Sequence, residues 1–356
     1  MSEAQRKQST LSKNPSYAAA KAHYLSPSRR DPVKREWEER FSKSLFRSAA
    51  EATSTGNRLS VVDVGSGTGD ALHLLEGALN HHRRPPVIDY LGLDLDPDMV
   101  EVARDLHRDR PRVEFAMADI RDGVPDRPTQ LYLASGVPYS HLTREELTAV
   151  LADITATVRR HRTRSVVVLD VLGRYSMEWE PYWDFDRWTY AMTFFQGGEP
   201  APEAKMSFYG QSDLATVIAD GTRHGGLLPV RVEYFDRSIG VGRHTVTGAF
   251  NPALPPYREL VNRLFAGDVT VALPDLRIED PCGEAPPEVL NFFTGFATRW
   301  NERLWHCAEV ESTRWASAAS RTRLARQLRD VEFSAQRGLG AGHSLICLLH
   351  LDGSTR

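Results

Sequence analysis

Val61-Val62-Asp63-Val64-Gly65-Ser66-Gly67-Thr68-Gly69-Asp70 reads as a buried strand that ends in an acid and breaks into a triple-glycine turn ahead of a helix. Glycines at alternate positions let the backbone turn tightly and approach a ligand with no Cβ in the way, and the helix start adds unpaired N–H groups. The helix shows in Ala71, Leu75, Ala78 and Leu79, which repeat at helical spacing. Any strand-to-helix turn can recruit glycine, so the loop alone is weak grounds for a nucleotide-like cofactor.

The next segments strengthen that reading. A second apolar run, Tyr90-Leu91-Gly92-Leu93, ends in Asp94, and Asp96-Pro97 caps a helix carrying Met99, Ala103 and Leu106. An acid at the end of a second strand suits a ribose diol. A third strand, Val113 to Met117, leads to Asp119, and a fourth, Leu131 to Ala134, ends in Ser135-Gly136. Four strands thus deliver their C-terminal ends to one crevice, where ligands of open α/β sheets bind. A fifth strand, Ser165 to Leu169, ends at Asp170, after a helix with a capping box at Thr143 and Glu146.

The glycine spacing is G-x-G-x-G rather than the dinucleotide G-x-G-x-x-G, and Asp63 precedes it inside the strand. An acid there repels pyrophosphate and suits an amino group or a cation. Over residues 61 to about 142 the chain resembles the class I S-adenosylmethionine-dependent methyltransferases. The resemblance implies a Rossmann-like α/β fold: seven mostly parallel strands with helices on both faces, an N-terminal helical segment and a substrate cap or C-terminal helical extension. It implies S-adenosyl-L-methionine as cofactor, with Asp63, Gly65 and Gly67 at its methionine end and Ser66 and Gly69 also among the binding residues. Asp94, beside Leu95, would hold the ribose; Asp119 would meet the adenine amine, with Ile120 beside the ring, and Ser135 the methionine tail. Two departures stand out: Thr129-Gln130 replace the usual acid before strand four, and Pro138-Tyr139 interrupt the entry to the next helix.

Composition fits a soluble enzyme. With 44 basic and 47 acidic side chains in 356 residues there is no global field for nucleic acid or membrane. The first fifty residues hold eleven Lys/Arg against five Asp/Glu, which alternate in sign from Asp31 to Arg40 as on a solvated helix. Cys282, Cys307 and Cys347 lack metal-ligand spacing and read as reduced thiols, and no metal is expected. No apolar run has signal-peptide or membrane-spanning length, so a cytoplasmic protein is expected, with neither membrane nor nucleic acid as partner.

Four regions are expected: a helical segment over 1–55, with Tyr17 and Tyr24 as core or lid residues; the cofactor-binding core over 56–171; an aromatic-rich substrate lid over 172–210; and the rest of the sheet with a helical cap or extension over 211–356. Between Tyr175 and Tyr209 lie eleven of the chain's 32 aromatic residues, among them Trp179, Tyr182, Trp183, Phe185, Trp188, Tyr190, Phe194 and Phe195. Leaving the end of strand five, they should sit over the crevice, as a lid for an apolar or planar acceptor or as a small core or dimer contact of their own. A homodimer is therefore left open. Val230 to Phe250 reads as a hairpin turning at Gly240-Val241-Gly242, and Val331-Glu332-Phe333 with Leu339-Gly340-Ala341-Gly342 repeats it ahead of the apolar strand Ser344 to Leu351. Either hairpin could close the sheet. Helices are expected over Ser212 to His224 and Pro287 to Cys307.

In-line methyl transfer needs alignment first, and a base only where the acceptor must lose a proton. The candidate bases are His141, Tyr139 and Asp170. Glu178, Glu180, Asp184 and Asp186 could bind an amine. The expected function is methylation of a small molecule, a natural product or other specialised metabolite, with oxygen preferred over nitrogen. The alternatives are a nucleic-acid or protein methyltransferase, a catalytically silent partner subunit and, least supported, a nicotinamide oxidoreductase.

Overall fold

A computed structural model describes residues 30–356 apart from 54–55, 82, 192–202, 243–249, 314–315 and 355–356. Tyr17, Tyr24, Phe194 and Phe195 lie outside the described residues. β1 (Arg58–Val64), β2 (Val87–Asp94), β3 (Val113–Met117), β4 (Leu131–Ala134) and β5 (Arg164–Gly173) run parallel in the order β3-β2-β1-β4-β5. The crossovers carry α2 (Asp70–Leu79), α3 (Pro97–Leu106) and α4 (Arg144–His161). Their starts obey local chemistry: Asp96 accepts the amides of Asp98 and Met99, and Thr143 and Glu146 close a reciprocal capping box.

β5 continues past its expected end at Leu169. β9 (Ser344–Asp352) pairs with it antiparallel from Arg164 opposite Asp352 to Leu172 opposite Ser344, and this ladder extends the strand. Asp170, expected just beyond β5, therefore lies inside it. β8 (Arg231–Arg237) pairs with the far side of β9. Each of the two expected hairpins thus contributes a single strand, and β8 takes its partner from the other. The return arm at 243–249 lies outside the described residues. Val331-Glu332-Phe333 is no strand: it belongs to α8 (Ala318–Ser334), where Leu324, Leu328 and Val331 are buried at helical spacing, a periodicity that outweighs the local likeness to Val232-Glu233-Tyr234. Among the described residues the doubly wound α/β sheet has nine strands; in the seven named so far β9 alone runs antiparallel, and two more join at the end of β5.

Where β4 stops, the freed edge of β5 accepts β7 (Glu203–Tyr209), with Leu172 opposite Phe208 and Gly173 opposite Tyr209. β7 forms an antiparallel hairpin with β6 (Arg187–Ala191), which brings the aromatic segment to the C-terminal end of the sheet.

Three apolar cores follow. One face of the sheet packs on α4 and α5 (Gln211–Gly225) through Leu147, Leu151, Ile154, Leu214 and Ile218. The other packs on α1 (Glu39–Thr53), α2 and α3 through Phe46, Leu72, Leu75 and Val100. The third joins the aromatic segment to α6 (Tyr257–Phe265), α7 (Pro287–Thr313) and α8, with Trp179, Phe208, Phe293, Trp300 and Leu328 at its centre. The entry to α1 is tied into this cap by the buried Arg258, whose guanidinium meets Asp31 at 2.9 and 3.0 Å and Glu38 at 2.5 Å.

Gly173 has no room for a side chain: a Cβ there would stand 2.2 Å from the Gly342 carbonyl oxygen and 2.8 Å from that of Gly340. Gly173→Ala should lower unfolding free energy by about 1–3 kcal/mol or more. Gly295→Ala in α7, where the atom nearest the Cβ position is Nη1 of Arg299 in the same helix at 3.8 Å, should raise it by about 0.5–1 kcal/mol. Denaturant melts of the two variants check the contrast.

Candidate active site

The turn after β1 is built as its glycines require. Gly65, Gly67 and Gly69 have φ of 65°, 51° and 90°, in the left-handed region that costs other residues energy. A Cβ on Gly65 would approach Pro138 Cβ to 2.5 Å, and one on Gly69 would approach His107 Nε2 to 2.8 Å. Nothing lies within 4 Å of the Cβ position at Gly67, so this glycine faces open space. Gly69 caps α2 and has no side chain to take up the first helical amides.

Asp94, the last residue of β2, ties this turn to the next helix. Its Oδ2 accepts the Gly67 amide at 2.8 Å and its Oδ1 the Asp96 amide at 2.9 Å. Burial raises its pKa, with these amide bonds opposing. Leu95 follows, half-buried.

Asp63 is fully buried beside Gly92 of β2. Its Oδ2 accepts the Tyr90 hydroxyl, while Oδ1 has no hydrogen-bond partner among the described residues. The Ser66 hydroxyl is also buried without one. Desolvation pushes the Asp63 carboxyl up to about 8; the Tyr90 bond opposes this, and the charges of Asp94 and Asp70 add to it. A buried acid with one oxygen unpaired among the described residues, next to a turn of left-handed glycines, fits the ammonium or sulfonium of S-adenosylmethionine. In the sequence Tyr90 reads as one more apolar strand residue. The signal was Gly92, a strand glycine that marks close approach: a Cβ there would meet Phe115 at 2.5 Å and Ser66 Oγ at 2.8 Å.

The remaining candidates divide. Asp119 is engaged by Arg121, whose Nε and Nη2 reach its two oxygens at 2.9 and 2.6 Å; burial alone would raise its carboxyl, but Arg121 outweighs burial and holds it low. Ile120, half-buried, packs against the core beneath α4. Ser135 follows β4 directly and is half-buried. Tyr139 is fully buried, its hydroxyl unpaired among the described residues, and desolvation drives its pKa far up. Asp170 accepts the Gly136 amide at 2.9 Å and Arg237 Nη2 at 2.8 Å on one oxygen. Enclosure and ion pairing thus take Tyr139 and Asp170 away from the crevice mouth, where both were expected as bases. His141 ends the short helix Pro138–His141 and is exposed along one edge, yet surrounding protein and the Arg187 charge lower its pKa to about 4, so the ring is neutral at pH 7.

The aromatic segment is largely its own core. Trp179 and Trp183 are buried, and their indole N–H groups donate to the carbonyls of Gly173 and Ser176 at 3.0 and 2.9 Å. Trp188 is stacked on both faces, by Tyr182 at 4.6 Å and Phe208 at 4.5 Å, and its Nε1 is buried without a partner among the described residues. Of the lid acids, Glu178 pairs with His343 at 2.5 Å, Glu180 accepts the amides of Cys282 and Gly283, and Asp186 meets Arg144 at 3.3 Å. Among the described residues no group of His, Cys, Asp and Glu could hold a metal, and no helix is long and apolar enough to cross a membrane.

Residues 61–161 match the family described as a methyltransferase domain. A search of curated proteins gave no match. Among solved structures, an S-adenosylmethionine-dependent methyltransferase of Clostridium acetobutylicum is 15% identical, covering 62% of this chain and 90% of its own, at a TM-score of 0.40. DesVI of Streptomyces venezuelae is 20% identical over 57% of this chain and 89% of its own, at 0.36. CalS10 of Micromonospora echinaspora, an amino pentose methyltransferase solved with S-adenosylmethionine bound, is 19% identical over 56% and 84%, also at 0.36.

With a pKa of about 8 in the fold against about 3.9 unfolded, Asp63 binds more proton when folded than when unfolded between those values. Its contribution to stability is therefore complete below about pH 4 and is lost as pH rises through about 8. The ligand-free protein should melt at falling temperature from pH 6 to 9, and Asp63→Asn should flatten that slope in differential scanning calorimetry.

Proposed function

We propose that this chain is a class I S-adenosylmethionine-dependent methyltransferase with a small-molecule acceptor of the specialised-metabolite kind, methylated on oxygen in preference to nitrogen, in the cytoplasm. The observation that carries the reading is the pairing of two features at one end of the sheet. The left-handed glycine turn with Asp63 and Asp94 supports the cofactor site, and the β6–β7 hairpin, anchored on the last two residues of β5, supports an acceptor site beside it.

Bound there, S-adenosylmethionine supplies an electrophilic methyl group on a sulfonium. The work of the chain is placement. Asp63 would offer its unpaired oxygen to the cationic end, Gly67 leaves the space its missing Cβ would fill, and Asp94, which fixes the turn, would hold the ribose hydroxyls. Ser135 and its neighbours would bound the methionine tail, and Ile120 would stand beside the adenine ring. For Asp119 to take the adenine amine, Arg121 must share or release it. Alignment of an in-line displacement supplies roughly 7–11 kcal/mol, so no covalent help from the protein is needed. His141, neutral at physiological pH, is the group suited to accept the proton of a hydroxyl acceptor.

Calorimetric titration tests the cofactor site directly. S-adenosylmethionine should bind wild type and lose about tenfold or more in affinity with Asp94→Ala, while NADH gives no heat; unaltered binding by the variant overturns the assignment. For the acceptor, His141→Ala should cost roughly 10²–10⁴-fold in kcat on a hydroxyl acceptor with the cofactor Kd unchanged. An amine that transfers as its free base should lose far less.

A further inference from the structure

Besides glycines, three described residues have a left-handed backbone, and two of them, Val137 (φ 60°) and Ser238 (φ 60°), flank one buried ion pair. The third, Arg162, ends α4, where such a conformation is ordinary. Val137 is the unexpected one. It is β-branched and buried, and it follows Gly136 at φ 97° in the turn that leaves β4. A side chain persists there only where its surroundings over-determine it.

The surroundings are specific. Asp170 Oδ2 takes the Gly136 amide at 2.9 Å from below and Arg237 Nη2 at 2.8 Å from the side. Arg237 is itself fixed by Ser42 of α1 at 3.1 Å and Ser344 of β9 at 2.9 Å, and both charged side chains are over nine-tenths buried. On the far side of the turn, Ser140 Oγ accepts the Leu172 amide at 2.7 Å. A buried ion pair adds little stability over an apolar pair of equal volume, so its presence here points to a geometric task.

We infer that Arg237, acting through Asp170, is a positioning residue that holds the strained Gly136-Val137 turn and thereby sets Ser135 against the cofactor. The inference rests on the proposed placement of Ser135 at the methionine tail. Arg237 touches no reacting atom. Without it, Asp170 loses its anchor, Val137 relaxes to an ordinary negative φ, and Ser135 moves with it.

Strain makes the role testable by rescue. Glycine at 137 adopts the left-handed conformation without cost, so it should restore the turn where the anchor is gone. Cofactor Kd by calorimetry and melting temperature are measured for wild type, Arg237→Met, Val137→Gly and the double variant. Arg237→Met should weaken S-adenosylmethionine binding about tenfold or more in a folded protein, and the peptide spanning 135–140 should exchange amide hydrogens faster. Adding Val137→Gly should recover at least about threefold in affinity without raising the melting temperature. If Arg237→Met does not fold, Arg237→Lys, which keeps the charge but not the fork, carries the same comparison. Wild-type affinity in the Arg237 variants, or a loss that glycine fails to recover, overturns the inference. Ser135→Trp separates the premise: normal cofactor binding by that variant overturns the placement of Ser135, whereas blocked binding together with an indifferent Arg237 overturns the inference alone.

Discussion

The ladder between β5 and β9 is the constraint on which the rest of the molecule depends. Nine residues near the C-terminus, all buried, pair antiparallel with the last strand of the cofactor-binding half. Pairing of this sequence separation is entropically expensive to form, and it is made here along the whole strand. Its consequences reach every part of the site. It lengthens β5 so that Asp170 lies under the crevice, and it presents the β5 edge that receives the aromatic hairpin. It also places Ser344 where Arg237 can use it.

Electrostatics inside the site run in one direction. Asp63, Asp94 and Asp70 gather around the glycine turn, and the pKa of Asp63 and that of Asp94 are both raised. Repulsion among acids and desolvation together favour a protonated Asp63 until a cation arrives. A pyrophosphate would add charge of the wrong sign to the same place. Under the proposed assignment the site would discriminate by charge before shape, and Tyr90, by occupying one oxygen of Asp63, would leave the other for the cation.

How much of this could be read from the sequence depends on how local the cause is. The glycine turn, the strand runs ending at Asp94 and Ala134, and the caps at Asp96 and Thr143 are each written in a few consecutive residues, and each stands where the residues place it. The closure of the sheet was not legible, because β8 and β9 find their partners across more than a hundred residues and each had a plausible partner nearby. Val331-Glu332-Phe333 misled for the same reason: three residues fit a strand by identity, while the helical period that governs them needs the whole of α8 to be seen. The Arg237–Asp170 pair had no signal at all, since neither an arginine at the end of one strand nor an acid in another announces the other.

The aromatic segment shows where composition and function part. A dense run of rings at the mouth of a crevice suggests contact with a ligand, yet the indole N–H groups of Trp179 and Trp183 are already spent on the backbone. Trp188 has both faces covered, and Tyr190 stacks on Phe250 at 5.2 Å. These rings hold the hairpin to α7 and to the segment around Phe250. Packing of that kind would serve the proposed in-line displacement, in which small errors of alignment cost more than weak contacts do. Under the proposed function, specificity for the acceptor would rest on polar groups such as His141, because a site built to hydrogen-bond its substrate penalises a mismatched one more heavily than a missing methylene does.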